Sequence, residues 1–148
     1  MKISTKGRYG LKAMMDLVIY SLGEPLNLKS IAERQNVSEK YLEHIFSALK
    51  KAGLIKSIKG TQGGYILAHA AEDITVGNVI RALEGDLAIA EKNGQEDSNA
   101  DVLERCINQS VYEKIDNSIN LLLDSITLEQ LQQEYNKMNQ DTDYMFYI

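Results

Sequence analysis

A chain of 148 residues with 44% hydrophobic content is long enough to bury a core. No apolar run reaches the roughly 18 to 20 residues of a membrane span, so a folded cytoplasmic protein is expected. Its single cysteine, Cys106, excludes an internal disulfide framework and a cysteine-rich zinc site, and the formal charge of −5 hides a division. Up to Gly64 there are 11 Lys and Arg against 5 acidic residues, a net of +6, and beyond it 5 against 16, a net of −11. Only the N-terminal part is therefore suited to phosphates.

Leu11, Met14, Leu17, Val18 and Leu22 recur at helical spacing and predict a first helix from Thr5 to Leu22, closed by Gly23. Pro25 and Asn27 introduce a second, Leu28 to Gln35, and Asn36-Val37-Ser38 turns the chain into a third, Ser38 to Ala52, ended by Gly53. Leu54 to Ile58 reads as a strand, Gly60 to Gly64 as a turn, and Tyr65-Ile66-Leu67 as the returning strand of a hairpin. Thr75 should cap a fourth helix that carries Val76, Val79, Ile80 and Leu83, ends before Gly85 and covers the hairpin. The polar stretch Ala90 to Asp101 reads as a mobile acidic loop. Beyond it Leu103, Ile107, Val111, Ile115, Ile119 and Leu123 fall at every fourth position of a long helix, followed by a shorter one from Leu128 to about Met138. The expected fold is mainly α. A winged helix-turn-helix with a small β-hairpin wing occupies residues 1–85, a mobile acidic loop 86–101, and a long C-terminal dimerisation helix with its tail 102–148.

Within the helix-turn-helix, Ala32 is small where two helices approach, Asn36 tolerates positive φ, and Val37 plugs the turn. Ser38 caps the third helix and Glu39 complements its positive end. Leu42, Ile45, Phe46 and Leu49 form its inward stripe, leaving Lys40, Glu43, His44, Ser47 and Lys51 on a face that can enter a major groove. His44 is either a donor to a base or phosphate or a solvated polar residue. Lys6 and Arg8 place positive charge at the positive end of the first helix, an arrangement favoured when an anion such as a DNA phosphate sits there. Lys56 and Lys59 flank Gly60, Gly63 and Gly64, which either let the backbone approach a nucleic-acid strand or serve a plain turn.

Steps of four residues overshoot one helical turn, so the apolar line from Leu103 to Leu123 winds around its helix. One end can face its own domain and the other a second chain, with Ile107, Val111, Ile115, Ile119 and Leu122 as the dimerisation candidates. Cys106, next to Arg105, is either a redox-sensitive thiol or a small core residue between Leu103 and Ile107. No nucleophile, base and orienting group can be assembled, so an enzyme is not expected.

The segments Met1-Lys2-Ile3-Ser4-Thr5-Lys6-Gly7-Arg8-Tyr9-Gly10, Ser38-Glu39-Lys40-Tyr41-Leu42-Glu43, Lys59-Gly60-Thr61-Gln62-Gly63-Gly64-Tyr65 and Ser125-Ile126-Thr127-Leu128 together resemble the Rrf2 family of bacterial transcription regulators, over nearly the whole chain. The resemblance implies that Lys6, Arg8 and Tyr9 contact backbone phosphates, that Ser38, Tyr41 and Glu43 belong to a helix in the major groove, and that Lys59 reaches the minor groove. Leu28, Glu39, Lys40, His44, Gly60 and Gly63 complete the DNA-binding candidates. Many relatives hold an iron–sulfur cluster through three cysteines in the loop and the start of the long helix. Here Leu87 to Ser110 contains Cys106 alone and no histidine, which places the chain with the cluster-free branch, without cofactor or metal. The ending Tyr144-Met145-Phe146-Tyr147-Ile148 resembles that of the family's cysteine-metabolism repressors. A homodimeric repressor of sulfur and cysteine genes on a pseudopalindromic operator is thereby implied, with cysteine synthase as a regulatory partner. The competing readings are an iron–sulfur or nitric-oxide sensor with an incomplete ligand set, and a protein-interaction module that no longer binds DNA.

Overall fold

Four polar residues, Ser4, Asn27, Ser38 and Thr75, each precede a helix and hand a side-chain oxygen to a backbone N–H of its first turn, at 3.2, 2.8, 3.1 and 3.0 Å. Each such cap contributes about 1 kcal/mol and fixes where its helix begins. The helices are α1 (Thr5–Tyr20), α2 (Leu28–Gln35), α3 (Glu39–Lys51) and α4 (Val76–Glu84). At α4 the cap is reciprocal, since Asn78 Oδ1 accepts from Thr75 N at 2.9 Å. The computed structural model describes residues 2–90 and 101–146.

Strands β1 (Ile55–Ile58) and β2 (Gly64–Leu67) pair antiparallel, with Ile55 opposite Leu67 and Ile58 opposite Gly64. Tyr65 also exchanges both backbone hydrogen bonds with Leu26, at 3.0 and 2.8 Å, which sews the hairpin to the entrance of α2. The core lies among α1, α2 and α3. It joins Ala13, Met14 and Leu17, Ile31 and Ala32, and the α3 stripe Leu42, Ile45, Phe46 and Leu49, all buried. Asn36 adopts the left-handed conformation (φ 54) at the turn, and Val37 packs behind it. After a 3-10 turn at Ala71–Asp73, Ile74 adds to the same core.

Several elements differ from the sequence expectation. α1 stops at Tyr20, and Leu22 turns outward at φ 46 with 89% of its surface exposed; it belongs to the turn, not the apolar stripe. α4 packs against α1 and α3 rather than covering the hairpin. Gly7 and Gly10 face α4: a Cβ on Gly10 would stand 1.9 Å from Leu83 Cδ1, so the glycine leaves room for the Leu83 side chain against α1. The long helix is α5 (Val102–Ile107) and α6 (Glu113–Ser125) joined by a π turn at Asn108–Tyr112. Then α7 runs from Leu128 to Phe146, longer than α6, because the polar sequence after Met138 contains neither Gly nor Pro to stop it. Its first turn is no outlying arm. Leu128 is fully buried in the N-terminal core, and its N–H donates to Ile74 O at 2.9 Å.

The expected loop 86–101 is tethered where it begins. Asp116 of α6 accepts from the N–H groups of Ile89 and Ala90, both at 2.8 Å; residues 91–100 lie outside the described residues. Arg81 joins α4 to α6 through Asp124, at 2.7 and 2.9 Å, and Asn120, at 3.0 Å. The hydrogen bond to Arg81 holds Asp124 below the usual carboxylate range. This tie is therefore present at neutral pH and is lost only as pH falls through that lowered value. Both partners are substantially exposed, so it stabilises by less than about 1 kcal/mol. Among the described residues no helix is long and apolar enough to cross a membrane.

A second ion pair matters more. The Asp16 carboxylate, with no side-chain exposure, is gripped by Arg34 Nη2 at 2.6 Å and Nε at 3.0 Å and by Gln35 Nε2 at 2.9 Å, fastening α2 to α1. Arg34, which also lies over the Tyr20 ring, has its pKa raised first by the hydrogen bond to Asp16. Asp16→Ala removes the shared acceptor and leaves the guanidinium in a partly closed site. Because Arg34 stays 31% exposed and can reach water, the expected loss is about 2 kcal/mol, below that of a wholly buried pair. Urea unfolding of the variant measures it; a change within about 0.5 kcal/mol removes this pair as the fastening of the helix-turn-helix.

Candidate nucleic-acid interface

The sequence-predicted groups stand at the openings of α1 and α3, which touch through Tyr9 and Tyr41, and at the tip of the hairpin. On α3, Ser38 caps the helix and Glu39 stands in its first turn, while Lys40, Glu43, His44, Ser47 and Lys51 are all exposed opposite the buried stripe. Tyr41 is half-buried because its ring meets Tyr9 of α1 edge-on, with centroids 6.1 Å apart and planes at 89°. Lys12 Nζ lies 5.3 Å from the centre of the Tyr9 ring. The Tyr9–Tyr41 contact therefore locks the opening of α1 to the opening of α3, bringing Lys6, Arg8 and Tyr9 into one unit with the outward face of α3. Lys12 completes the basic edge and was not singled out from sequence; its position one turn after Arg8 was the available signal.

At the positive end of α1 the chain supplies its own anion. The Glu84 carboxylate accepts from Ser4 N–H at 2.8 Å and, in a short hydrogen bond, from the Ser4 hydroxyl. The presence of Lys6 and Arg8 at this helix end thus does not by itself call for an external phosphate. Arg8 is exposed, with Nε donating to Ile3 O at 3.2 Å, and Lys6 is half-buried.

On the wing, Lys59 and Gly60 are exposed at the tip, and Gly60 holds φ 112 with open space around it. Gly63 has a different explanation. Its N–H closes the tip onto Gly60 O at 3.1 Å, and a Cβ would stand 2.1 Å from Ile58 O, so the hairpin's own backbone requires the glycine. Leu28, at the start of α2, is half-buried, with its side chain packed against the core.

The C-terminal candidates lie on a separate surface. Ile107, Val111 and Ile115 are exposed, Ile119 is half-buried, and Leu103 and Leu122 expose 63% and 60%. Cys106 is exposed among them, not a core residue, with Sγ 4.0 Å from Ser110 Oγ. At the π turn more residues complete each revolution, so four residues fall short of a turn where in an α-helix they overshoot it. The winding expected of the apolar line is thereby reduced between Ile107 and Ile115. Tyr144 and Met145, at the end of α7, are exposed as well.

The pattern of the Rrf2 family, described as "Iron-dependent Transcriptional regulator", matches residues 3–134. The chain is 43% identical to the HTH-type transcriptional regulator CymR of Bacillus subtilis over 148 residues, covering all of both chains. Among solved structures it is similar to T. potens IscR, at 46% identity and TM-score 0.71 over 91% of this chain and 88% of that one. It is likewise similar to the structure of CymR, the global cysteine regulator of B. subtilis, at 41% identity and TM-score 0.71 over 90% and 98%. These relatives are regulators, not enzymes.

The residues present do not fit a cysteine-held iron–sulfur cluster. The chain has one cysteine, and among the described residues no three His, Cys, Asp or Glu side chains gather as metal ligands. Anaerobic reconstitution with ferrous iron and sulfide is expected to leave the protein colourless. Stoichiometric iron and sulfide with a visible charge-transfer band, lost in Cys106→Ala, would contradict this.

Proposed function

The chain belongs to the Rrf2 family of transcriptional regulators, and from that premise we propose that it is a homodimeric, sequence-specific DNA-binding repressor of sulfur and cysteine metabolism genes. The observation that carries the DNA-binding reading is the Tyr9–Tyr41 contact, which sets a basic helix opening beside the exposed face of a capped helix in a basic half of the chain. Full-length similarity to CymR, together with a single cysteine, supports the cysteine-metabolism role over an iron–sulfur or nitric-oxide sensor. Cysteine synthase is proposed as the regulatory partner on the resemblance of the C-terminal ending to that of the family's cysteine-metabolism repressors. Genome-wide footprinting tests the assignment directly. Bound sites clustered upstream of sulfur and cysteine genes are expected, and sites at iron–sulfur assembly genes would favour the sensor.

In this reading Lys6, Arg8 and Tyr9 hold phosphates, while Ser38, Glu39, Lys40, Tyr41, Glu43 and His44 present the reading helix and Lys59 and Gly60 the wing. Lys6→Ala or Arg8→Ala should weaken binding to every duplex and lower the salt dependence by about one phosphate contact. Glu43→Ala should instead relax the preference at one base pair of each half-site, because a carboxylate accepts from the cytosine amino group; roughly 1 to 3 kcal/mol of discrimination is at stake. Competition with singly substituted operators distinguishes the two behaviours, and an unchanged preference profile removes Glu43 from the reading set.

The exposed apolar run of α5, the π turn and α6 supports a dimer through Ile107, Val111, Ile115, Ile119 and Leu122. Two α3 helices would then meet successive major grooves about 34 Å apart on a pseudopalindromic operator. Ile115→Asp buries a charge in that interface and should give monomers of weak, non-specific affinity. Inserting about five base pairs between half-sites should likewise abolish tight binding. Sedimentation and binding on the same samples check both; a monomer that grips one half-site tightly sinks the dimer reading.

A further inference from the structure

α1 meets α4 through a notched face. A Cβ on Gly7 would lie 2.4 Å from Glu84 Oε1, just as one on Gly10 would overlap Leu83. Leu83 occupies the Gly10 notch. The Glu84 oxygen goes further: it accepts from both the N–H and the hydroxyl of Ser4, while the same hydroxyl accepts from Gly7 N. Ser4 is thus held at both its backbone and its side chain. The segment it ends also orients Arg8, whose Nε donates to Ile3 O.

A carboxylate beside residues proposed to contact phosphates repels the duplex, so its place there is accounted for by what it holds, not by what it attracts. We propose that Glu84 is a positioning residue for DNA contact: by holding Ser4 through the notch at Gly7, it sets the direction in which Lys6 and Arg8 leave α1. This rests on the reading of the α1 opening as a phosphate-contacting element. One turn before Glu84 on the same helix, Arg81 binds α6 through Asp124 and Asn120, so nine-residue α4 links the proposed interface helix to the α1 opening.

The test is a salt series of fluorescence anisotropy titrations with a mixed-sequence duplex of about thirty base pairs, which reads phosphate contacts without requiring an operator. Wild type is compared with Glu84→Gln, Glu84→Ala, Gly7→Ala and the double variant Gly7→Ala/Glu84→Ala. Glutamine keeps the accepting oxygen and should preserve the wild-type slope of log affinity against log salt. Alanine releases Ser4 and should weaken binding about fivefold, with the slope lowered by about one phosphate contact. Gly7→Ala pushes the carboxylate off Ser4 and should reproduce that lowered slope with Glu84 still present. The double variant should be no weaker than either single one, because both remove one contact. If Glu84→Ala does not fold, Gly7→Ala and Glu84→Gln make the comparison without it. A wild-type slope in Glu84→Ala or Gly7→Ala, a lowered slope in Glu84→Gln, or additive losses in the double variant overturns the positioning role. Absence of salt-dependent binding by wild type overturns the DNA-binding reading itself, and this proposal with it.

Discussion

Burial of α1 on most of its sides is the constraint from which the rest of the arrangement follows. It touches α2, α3, α4, α7 and β2, so each face of one helix must suit a different neighbour. Gly7 and Gly10 open one side to α4, and Ala13, Met14 and Leu17 fill the centre. Asp16 is the polar exception, and it is tolerated because Arg34 and Gln35 answer both of its oxygens. The opening of a helix so enclosed is only partly exposed: Arg8 stands out, while Lys6 and Tyr9 are half-buried. The candidate interface is accordingly a by-product of core packing at its base and of free side chains at its rim.

What the sequence disclosed was local. The caps Ser38 and Thr75, the left-handed Asn36, the plug Val37 and the inward stripe of α3 all act within a few residues of themselves, and all are found as expected. The exposed face of α3 follows from that stripe by geometry. What remained hidden depended on distant partners. Nothing near Gly7 or Gly10 says that α4 lies on them, and nothing near Glu84 says that it will reach Ser4. Leu22 fitted an apolar period and yet sits in a turn, because Gly23 (φ 86) reverses the chain before that turn of helix can close. Leu128 does start a separate helix, as expected, but nothing beside it says that its pairing with Ile74 also carries it into the first core.

The uneven charge has a physical reading beyond attraction. A duplex meeting this molecule is drawn toward one half and repelled by the other, which biases orientation before any contact forms. Asp116 and Asp124 are engaged by backbone N–H groups and by Arg81, so part of the acidic surplus does structural duty on α6.

The π turn at Asn108–Tyr112 gives the long helix a feature that no side chain encodes. A wider turn of this kind is equivalent to one residue more than a regular helix needs over the same rise. Its presence acts like a vernier: everything from Glu113 onward is set about 100° away from where an unbroken α-helix would put it. The alignment of Ile107 with Ile115, and hence the shape of the apolar surface they share, is therefore governed by a count of backbone atoms. Changes of chain length within those five residues would shift that surface far more than exchanges of one apolar side chain for another.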